Sequence, residues 1–251
     1  MLPKTVPTAA LLIIGNEILS GQTQDQNAHF LAQRLAVQGI SLREYRTIPD
    51  DEEAIIEALN ALRQKYTYVF TTGGIGPTHD DITVRAVARA FNRKIERNPK
   101  VEAAFISVYP DINSKDDPRL RMADMPEGAA LIANSISTAP GFQVENVFVL
   151  AGVPDIMQGM FNNLVPQLQK GPLLFTRIVF CKIFESRIAI KLESIQNAYP
   201  DVEIGSYPSW KQEEEQGVKL VFKGFNAGEV EKAFEELIKY AHESAISTRT
   251  L

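Results

Sequence analysis

The sequence predicts an α/β protein: a mostly parallel sheet with helical crossovers, followed by a smaller α+β domain. Three observations carry that expectation. Short unbroken apolar runs alternate with helix-period segments over the first 92 residues, in the order strand, helix, strand, helix. The runs lack the in-out alternation of a half-exposed strand, which suits a parallel sheet covered on both faces. Each run ends in a polar or glycine-rich loop, and in such sheets ligands bind beyond the carboxyl ends of the strands.

The elements follow in order. Ala9 to Ile14 is an apolar run closed by Gly15. From Asn27, a plausible N-cap, Ala28, Leu31, Ala32, Leu35 and Ala36 recur at helical spacing until Gly39 breaks the segment. Ile40 to Ile48 reads as the second strand. Asp50 and Glu53 have capping-box spacing ahead of a helix with its buried stripe at Ile55, Ala58, Leu59 and Leu62. Tyr68 to Thr72 is the third strand; it runs into Gly73-Gly74-Ile75-Gly76-Pro77-Thr78-His79-Asp80-Asp81, after which Val84, Val87, Ala88 and Phe91 mark a helix. Val101 to Tyr109 reads as a helix and Pro110 to Arg121 as an irregular excursion. Leu131-Ile132, Phe142 to Val144 and Val147 to Leu150 are short strands, the last two joined by a tight turn at Glu145-Asn146. Pro154 opens a helix that the pattern carries to Leu168.

Gly171-Pro172 is the expected boundary, giving domains of 1–170 and 171–251. The second reads β-α-β-β-α: Leu173 to Phe180, Ser186 to Tyr199, Val202 to Tyr207, Val218 to Phe222 and Glu229 to Ala241.

Composition excludes several function classes. Lys and Arg number 26 against 31 Asp and Glu, a formal net charge of −5, so there is no broad basic footprint for nucleic acid or anionic lipid. Residues 172–251 carry 10 Lys and Arg against 12 Asp and Glu and no Gly-x-x-Gly loop, which argues against RNA binding there. The lone Cys181 forms no internal disulfide and no cysteine-based zinc site. No apolar stretch is long enough for a signal peptide or a membrane span, so a cytoplasmic location is expected.

The Gly73–Asp81 loop is the most informative stretch. Three glycines in four positions let main-chain N–H groups approach an anion, and the following helix N-terminus adds partial positive charge. Thr78 and Thr83 offer hydroxyl donors, while Asp80 and Asp81 offer oxygen ligands for a hard divalent metal. It is neither a Rossmann fingerprint nor a P-loop. A tight turn with Asp80 or Asp81 as a helix cap is the competing explanation. Gly15 to Gly21, Asp50-Asp51 and Gly73 to Asp81 should converge on one rim.

Thr71-Thr72-Gly73-Gly74-Ile75-Gly76-Pro77-Thr78-His79-Asp80-Asp81-Ile82-Thr83 resembles the signature of the MoaB/Mog molybdopterin-binding family, in the form carried by CinA-like proteins. Gly15-Asn16-Glu17-Ile18-Leu19-Ser20-Gly21 resembles the family's first loop. Asn134 to Phe142 and Leu150 to Met157 resemble two later segments, so the likeness covers residues 8 to about 168. It implies a three-layer α/β/α domain that binds a phosphorylated pterin or nucleotide. It also implies functional acids at Asp81 and Asp50. Together with the reading of the loops, it gives candidate ligand contacts at Gly15, Asn16, Gly73, Gly74, Gly76, Thr78, Thr83 and Asn134, and candidate positions for a divalent metal (Mg²⁺, Mn²⁺ or Co²⁺) at Asp81, Asp80 and Glu17. The partner would be a small anionic molecule, molybdopterin among the ligands, and relatives of the fold form homo-oligomers. CinA-like relatives are linked to metal-dependent ADP-ribose pyrophosphatase activity, and a related domain of eukaryotic FAD synthases to FAD hydrolysis. Three positions depart from the pattern: Ser137 stands in place of glycine, Ala151 of proline and Ile156 of glutamate. The last removes a carboxylate that hydrolysis would use and leaves main-chain phosphate binding intact. The deamidase domain of full-length CinA proteins is absent from the sequence, so that activity is not expected. Three functions remain open: a phosphorylated-pterin or nucleotide binder, a metal-dependent nucleotide pyrophosphatase, and an inactive scaffold.

Overall fold

The computed structural model describes residues 6–209 and 216–251. The chain divides into two compact units, Thr5–Gly171 and one comprising Pro172–Leu251. In chain order the first contains β1 (Thr8–Ile14), a one-turn α1 (Asn16–Leu19), α2 (Asn27–Val37), β2 (Ser41–Ile48), α3 (Glu52–Lys65), β3 (Tyr68–Thr72) and α4 (Thr83–Ala90). There follow β4 (Ile95–Arg97), α5 (Pro99–Val108), β5 (Asp124–Pro126), β6 (Ala130–Ile132), β7 (Gly141–Val144), β8 (Val147–Leu150) and α6 (Pro154–Leu164).

Six of the strands form one sheet in the order β2-β1-β3-β8-β7-β6. The first four are parallel, and the β7–β8 hairpin and β6 complete the sheet antiparallel. β1 is buried along its length because side chains alternate between two cores. Ala10, Leu12 and Ile14 face Ile55, Leu59 and Leu62 of α3, Val87 of α4 and Phe105 of α5. Ala9, Leu11 and Ile13 face Leu31 and Leu35 of α2 and Met157, Phe161 and Leu164 of α6. An unbroken apolar run is what a strand covered on both faces needs, and the expected mostly parallel three-layer arrangement results.

Several local expectations are corrected. Asn27 is not the cap of α2; the Asp25 carboxylate accepts from Asn27 N and Ala28 N. Asp50 does not cap α3; Asp51 does, accepting from Ala54 N at 2.9 Å in extended backbone geometry. α6 stops at Leu164 rather than Leu168, passing into a 3₁₀ turn at Val165–Gln167, because Pro166 has no N–H with which to continue the ladder. In the 95–125 region the helix expected at Val101 to Tyr109 is present as α5, the antiparallel β4–β5 pair is not among the expected elements, and the stretch read as irregular contains a 3₁₀ helix, Pro118–Ala123.

The second unit holds β9 (Phe175–Cys181), α7 (Glu185–Ala198), β10 (Glu203–Ser209), β11 (Gly217–Gly224), α8 (Ala227–Glu243) and β12 (Thr248–Thr250). All four strands are antiparallel, in the order β10-β11-β9-β12. The expected β-α-β-β-α order is present, with β12 added; Thr-Arg-Thr is exposed at every position and so carries no apolar signal. Val179, Cys181, Leu220 and Phe222 share a core with Ile188 and Ile195 of α7 and Phe234 and Leu237 of α8. Burial pushes the Cys181 thiol up to about 11, which makes it inert core. Trp210, the single tryptophan and by sequence a candidate recognition or interface element, and the acidic run Glu213 to Glu215, by sequence a solvated turn, lie outside the described residues. Among the described residues no helix is long and apolar enough to cross a membrane.

Two outcomes are expected. Phe70 is fully buried and stacks on Phe148 at 5.3 Å with Phe161 edge-on at 5.6 Å. Phe70→Ala should therefore cost the first unit about 3–5 kcal/mol in urea unfolding. Glu44 on β2 accepts from Tyr66 Oη, Arg46 Nε and Lys65 Nζ, which hold its carboxyl at about 2 against an ordinary 4.5. A carboxyl with a depressed folded-state value stabilises fully above its unfolded value. The stability difference between wild type and Glu44→Gln should shrink as the pH falls from about 4.5 towards 2.

Candidate functional site

A cavity of about 560 Å³ lies at the carboxyl ends of β1, β3 and β8. It is lined by Ile14 at the end of β1, by Gly73 to Pro77 after β3 and by Ala151 to Pro154 after β8. Parallel pairing of these strands is what brings loops so distant in sequence together. Glu17, Asp50, Asp80 and Asp81 also line it, whereas Met122, Met160, Ile75, Ile156 and Val153 give it apolar surface. No Lys, Arg or His is among the described lining residues.

The turn after β3 requires glycine twice. Gly73 has φ +104° and a Cβ there would fall on Ile14 O; Gly74 has φ +67° and a Cβ would fall on Thr83 Oγ1. Thr83 is fully buried and fastens this turn from below, its N donating to Gly74 O at 3.0 Å and its Oγ1 to Gly73 O at 2.9 Å. The hydroxyl expected from sequence to meet a ligand is therefore spent on the loop itself.

Asp81 sits at the other end of the turn. Its Oδ1 accepts from Gly76 N at 2.7 Å, and its Oδ2 from Thr78 N at 2.8 Å and Thr78 Oγ1 at 2.5 Å. Asp80 Oδ1 lies at the same distance from that hydroxyl, whose one proton serves one carboxylate at a time. The Thr78 hydroxyl holds the Asp80 carboxyl below the usual carboxylate range. Two of the N–H groups expected to face an anion, those of Gly76 and Thr78, thus face an internal carboxylate. His79, between them and the aspartates, has a side chain that is 96% exposed.

Asp50, released from capping, has another task. Its Oδ2 accepts from Asn16 N at 2.8 Å and ties the loop after β1 to the loop after β2. Gly15 donates its N–H to Ile48 O, and the Glu17 carboxylate folds back so that a Cβ on Gly15 would lie 2.5 Å from it. Gly15 and Asn16 therefore position Glu17 and do not themselves line the cavity. Asn134 is likewise a loop organiser: its Nδ2 donates to Ser137 Oγ and Ala139 O, and its Oδ1 accepts from Ile136 N and Ser137 N. Ser137 and Ala139, not Asn134, reach the cavity.

The site roles of three residues escaped the sequence reading. Asn27 Nδ2 donates to Gly152 O at 2.8 Å, anchoring the loop after β8; Gly152 in turn packs so closely that a Cβ would be 3.2 Å from Gly73 Cα. Its place directly after the first-loop motif was the available signal. Arg121 Nη1 donates to Pro77 O at 3.3 Å, and Met122 lines the cavity. Both sit in the irregular segment, where no periodicity marks them. Of the departures from the family pattern, Ala151 donates its N–H to Met160 Sδ, a contact proline would forfeit, and Ile156 gives the cavity an apolar wall where the pattern has a carboxylate.

The fit to a metal ion is limited. Among the described residues no three His, Cys, Asp or Glu side chains gather in positions to hold one, so Glu17, Asp80 and Asp81 form no ready-made cage.

Residues 10–170 match the family described as probable molybdopterin binding domain. The chain belongs to this family. Residues 173–250 match a second description, FAD synthase, middle domain. A protein of Archaeoglobus fulgidus is 36% identical to the molybdopterin-binding-family chain over 232 residues, 91% of this chain and 96% of that one. A probable FAD synthase of Caenorhabditis elegans is 32% identical over 229 residues, covering 81% of this chain; the chain spans 44% of the worm protein. Among solved structures, the protein CinA of unknown function from Thermoplasma acidophilum is 29% identical and superposes with a TM-score of 0.61, covering 65% of this chain and 99% of that one. The molybdopterin-binding domain is therefore of the CinA type.

The reassignment of the two neighbouring aspartates is testable. Asp51→Ala should cost about 1 kcal/mol by loss of the α3 cap. Asp50→Ala should leave α3 intact and instead raise hydrogen exchange at Asn16 N, read by amide exchange in the same samples.

Proposed function

We propose that the cavity binds a small molecule that joins a phosphate or diphosphate to a flat ring, a phosphorylated pterin or a nucleotide. The observation that carries this reading is a strand-end cavity whose lining combines a glycine turn with two methionines and three aliphatic side chains. The family match supports it, since molybdopterin is such a molecule. Self-association of the chain belongs to the same reading. Titration of the purified protein with AMP, ADP-ribose and FAD by calorimetry, with and without Mg²⁺, tests it. Saturable binding of at least one is expected, weakened by Gly74→Val, whose side chain would collide with Thr83. Failure of all three, together with retention of no small molecule through purification, would leave the scaffold reading in possession.

A second reading, diphosphate hydrolysis, is favoured by a specific pair of observations. Residues 173–250 match the FAD synthase middle domain, and carboxylates from three different loops, Glu17, Asp50 and Asp81, line the one cavity. A hard divalent cation is usually held by one or two carboxylates plus water and substrate phosphate oxygens, so a ready-made protein cage is not required. In this role Asp81 or Glu17 would share the cation with the diphosphate, and the cation would polarise the phosphorus centre. Incubation with ADP-ribose or FAD and Mg²⁺, Mn²⁺ or Co²⁺ should release AMP, and Asp81→Asn, which removes a charge that would hold the cation, should lower that rate by about tenfold or more, roughly 1.4 kcal/mol of barrier. No AMP with any of the three metals sinks the hydrolase reading and leaves the binding reading standing.

A further inference from the structure

We propose that the Asp81 carboxylate occupies the anion seat of the glycine turn and that ligand phosphate enters by displacing it. The inference rests on the phosphate-site reading above and adds to it how the site is controlled. Three donors converge on this carboxylate: Gly76 N, Thr78 N and Thr78 Oγ1. Pro77, between them, has no N–H, so the two amides point to one place with nothing competing. That donor set, two main-chain amides and a hydroxyl, is what an oxyanion of phosphate would accept from. Residue 76 must lack a side chain for the carboxylate to come in, since a Cβ there would stand 2.6 Å from Asp81 Oδ2. Gly76 and Asp81 line the 560 Å³ cavity, and Thr78, which supplies the other two donors, follows the lining residue Pro77 in the chain.

The surroundings supply the reason for exchange rather than simple addition. The described lining residues include four carboxylates and no cationic side chain. A phosphate that entered with Asp81 still seated would find these donors taken and a fixed negative charge in its place. If the carboxylate swings out, the phosphate gains the two amides, contends with Asp80 for the Thr78 hydroxyl, and leaves Asp81 free to face a cation held against the ligand. Ligand entry and the presentation of Asp81 are then one event. Asp81 acts as a resident stand-in for the anion when the cavity holds none.

The test uses the whole chain and inorganic pyrophosphate as the probe, in chelator so that no metal contributes. Wild type, Asp81→Ala, Asp81→Asn and Glu17→Gln are compared by calorimetry and by pyrophosphate-induced shifts in melting temperature. Asp81→Asn keeps one acceptor oxygen for the loop, so the comparison survives if Asp81→Ala loosens the fold. Glu17→Gln removes one charge from the same cavity without touching the seat. The expected result is pyrophosphate affinity raised about tenfold in Asp81→Ala, as one recovered hydrogen bond to a charged group supplies, with a smaller rise in Asp81→Asn and the least in Glu17→Gln. In ¹⁵N spectra of the wild type, the Gly76 and Thr78 amides should move as the probe binds. Equal gains in Glu17→Gln and Asp81→Asn, or unmoved Gly76 and Thr78 amides in a wild type that binds, overturn the displacement alone. Absence of binding to every variant, and to wild type with Mg²⁺ restored, overturns the phosphate reading with it.

Discussion

The parallel pairing of β1 with β3, and of β3 with β8, is the constraint from which the site follows. Ile13 pairs with Thr72, and Thr72 with Leu150, so the three strands end level with one another. Each then turns away into a loop, and at that level the chain has nowhere to go but over the sheet's edge. Gly73 turns with a positive φ and must lack a side chain because Ile14 O already fills its place, and Gly152 must lack one because Gly73 Cα is there. The glycines are thus dictated by three strands ending side by side. Because β1 is buried on both faces, slipping its register by one residue would exchange its two cores, so the alignment at the rim is fixed by packing far below it.

Around this rim a second layer of interactions fixes the loops to one another. Asp50 holds the loop after β1, Asn27 holds the loop after β8, Thr83 holds the turn after β3, and Asn134 folds the segment bearing Ser137 and Ala139. Most of these polar side chains act on backbone groups and not on the cavity contents. They work as a frame around the cavity-lining carboxylates Glu17, Asp80 and Asp81, to which the proposed function assigns the chemistry. This arrangement explains why a substitution in the frame and one in the chemistry should separate in experiment: the first changes loop order, the second changes charge.

The fold was legible in the sequence to the extent that burial wrote it there. Ala9 to Ile14 has no polar residue because both faces are covered, and the stripe Ile55, Ala58, Leu59, Leu62 marks α3 because one face of that helix is fully buried. Where burial leaves no trace, the pattern is silent: β12 is three exposed residues, and the β4–β5 pair is held partly by the Arg97–Asp124 ion pair. The motifs named part of the lining of the strand-end cavity but not what each residue does there. Adjacent carboxylates show the limit. Asp50 and Asp51 are equivalent as letters; backbone geometry places the second at the helix N-terminus and turns the first towards Asn16. Thr78 and Thr83 differ in the same way, one at the rim and one buried beneath it. Hydrogen-bond direction is set by the path of the chain, and spacing alone does not encode that path.

The mild acidity of the chain acquires a local meaning in this frame. Two unit charges 4 Å apart repel by about 4 kcal/mol at the effective dielectric of a protein surface. A phosphate placed among Glu17, Asp50, Asp80 and Asp81 would meet several such terms, and the described lining supplies no Lys or Arg to offset them. Main-chain donors alone recover part of that cost, and two of them are engaged by Asp81. Favourable binding therefore calls for a cation carried in with the ligand, for the departure of a carboxylate from its donors, or for both together. The carboxylate that leaves is also the one best placed to meet the incoming cation. Under the proposed reading, the same charges that would repel a bare phosphate would favour one that arrives with metal, and a cavity with no cationic side chain among its described lining residues would act as a filter on the form in which a ligand enters.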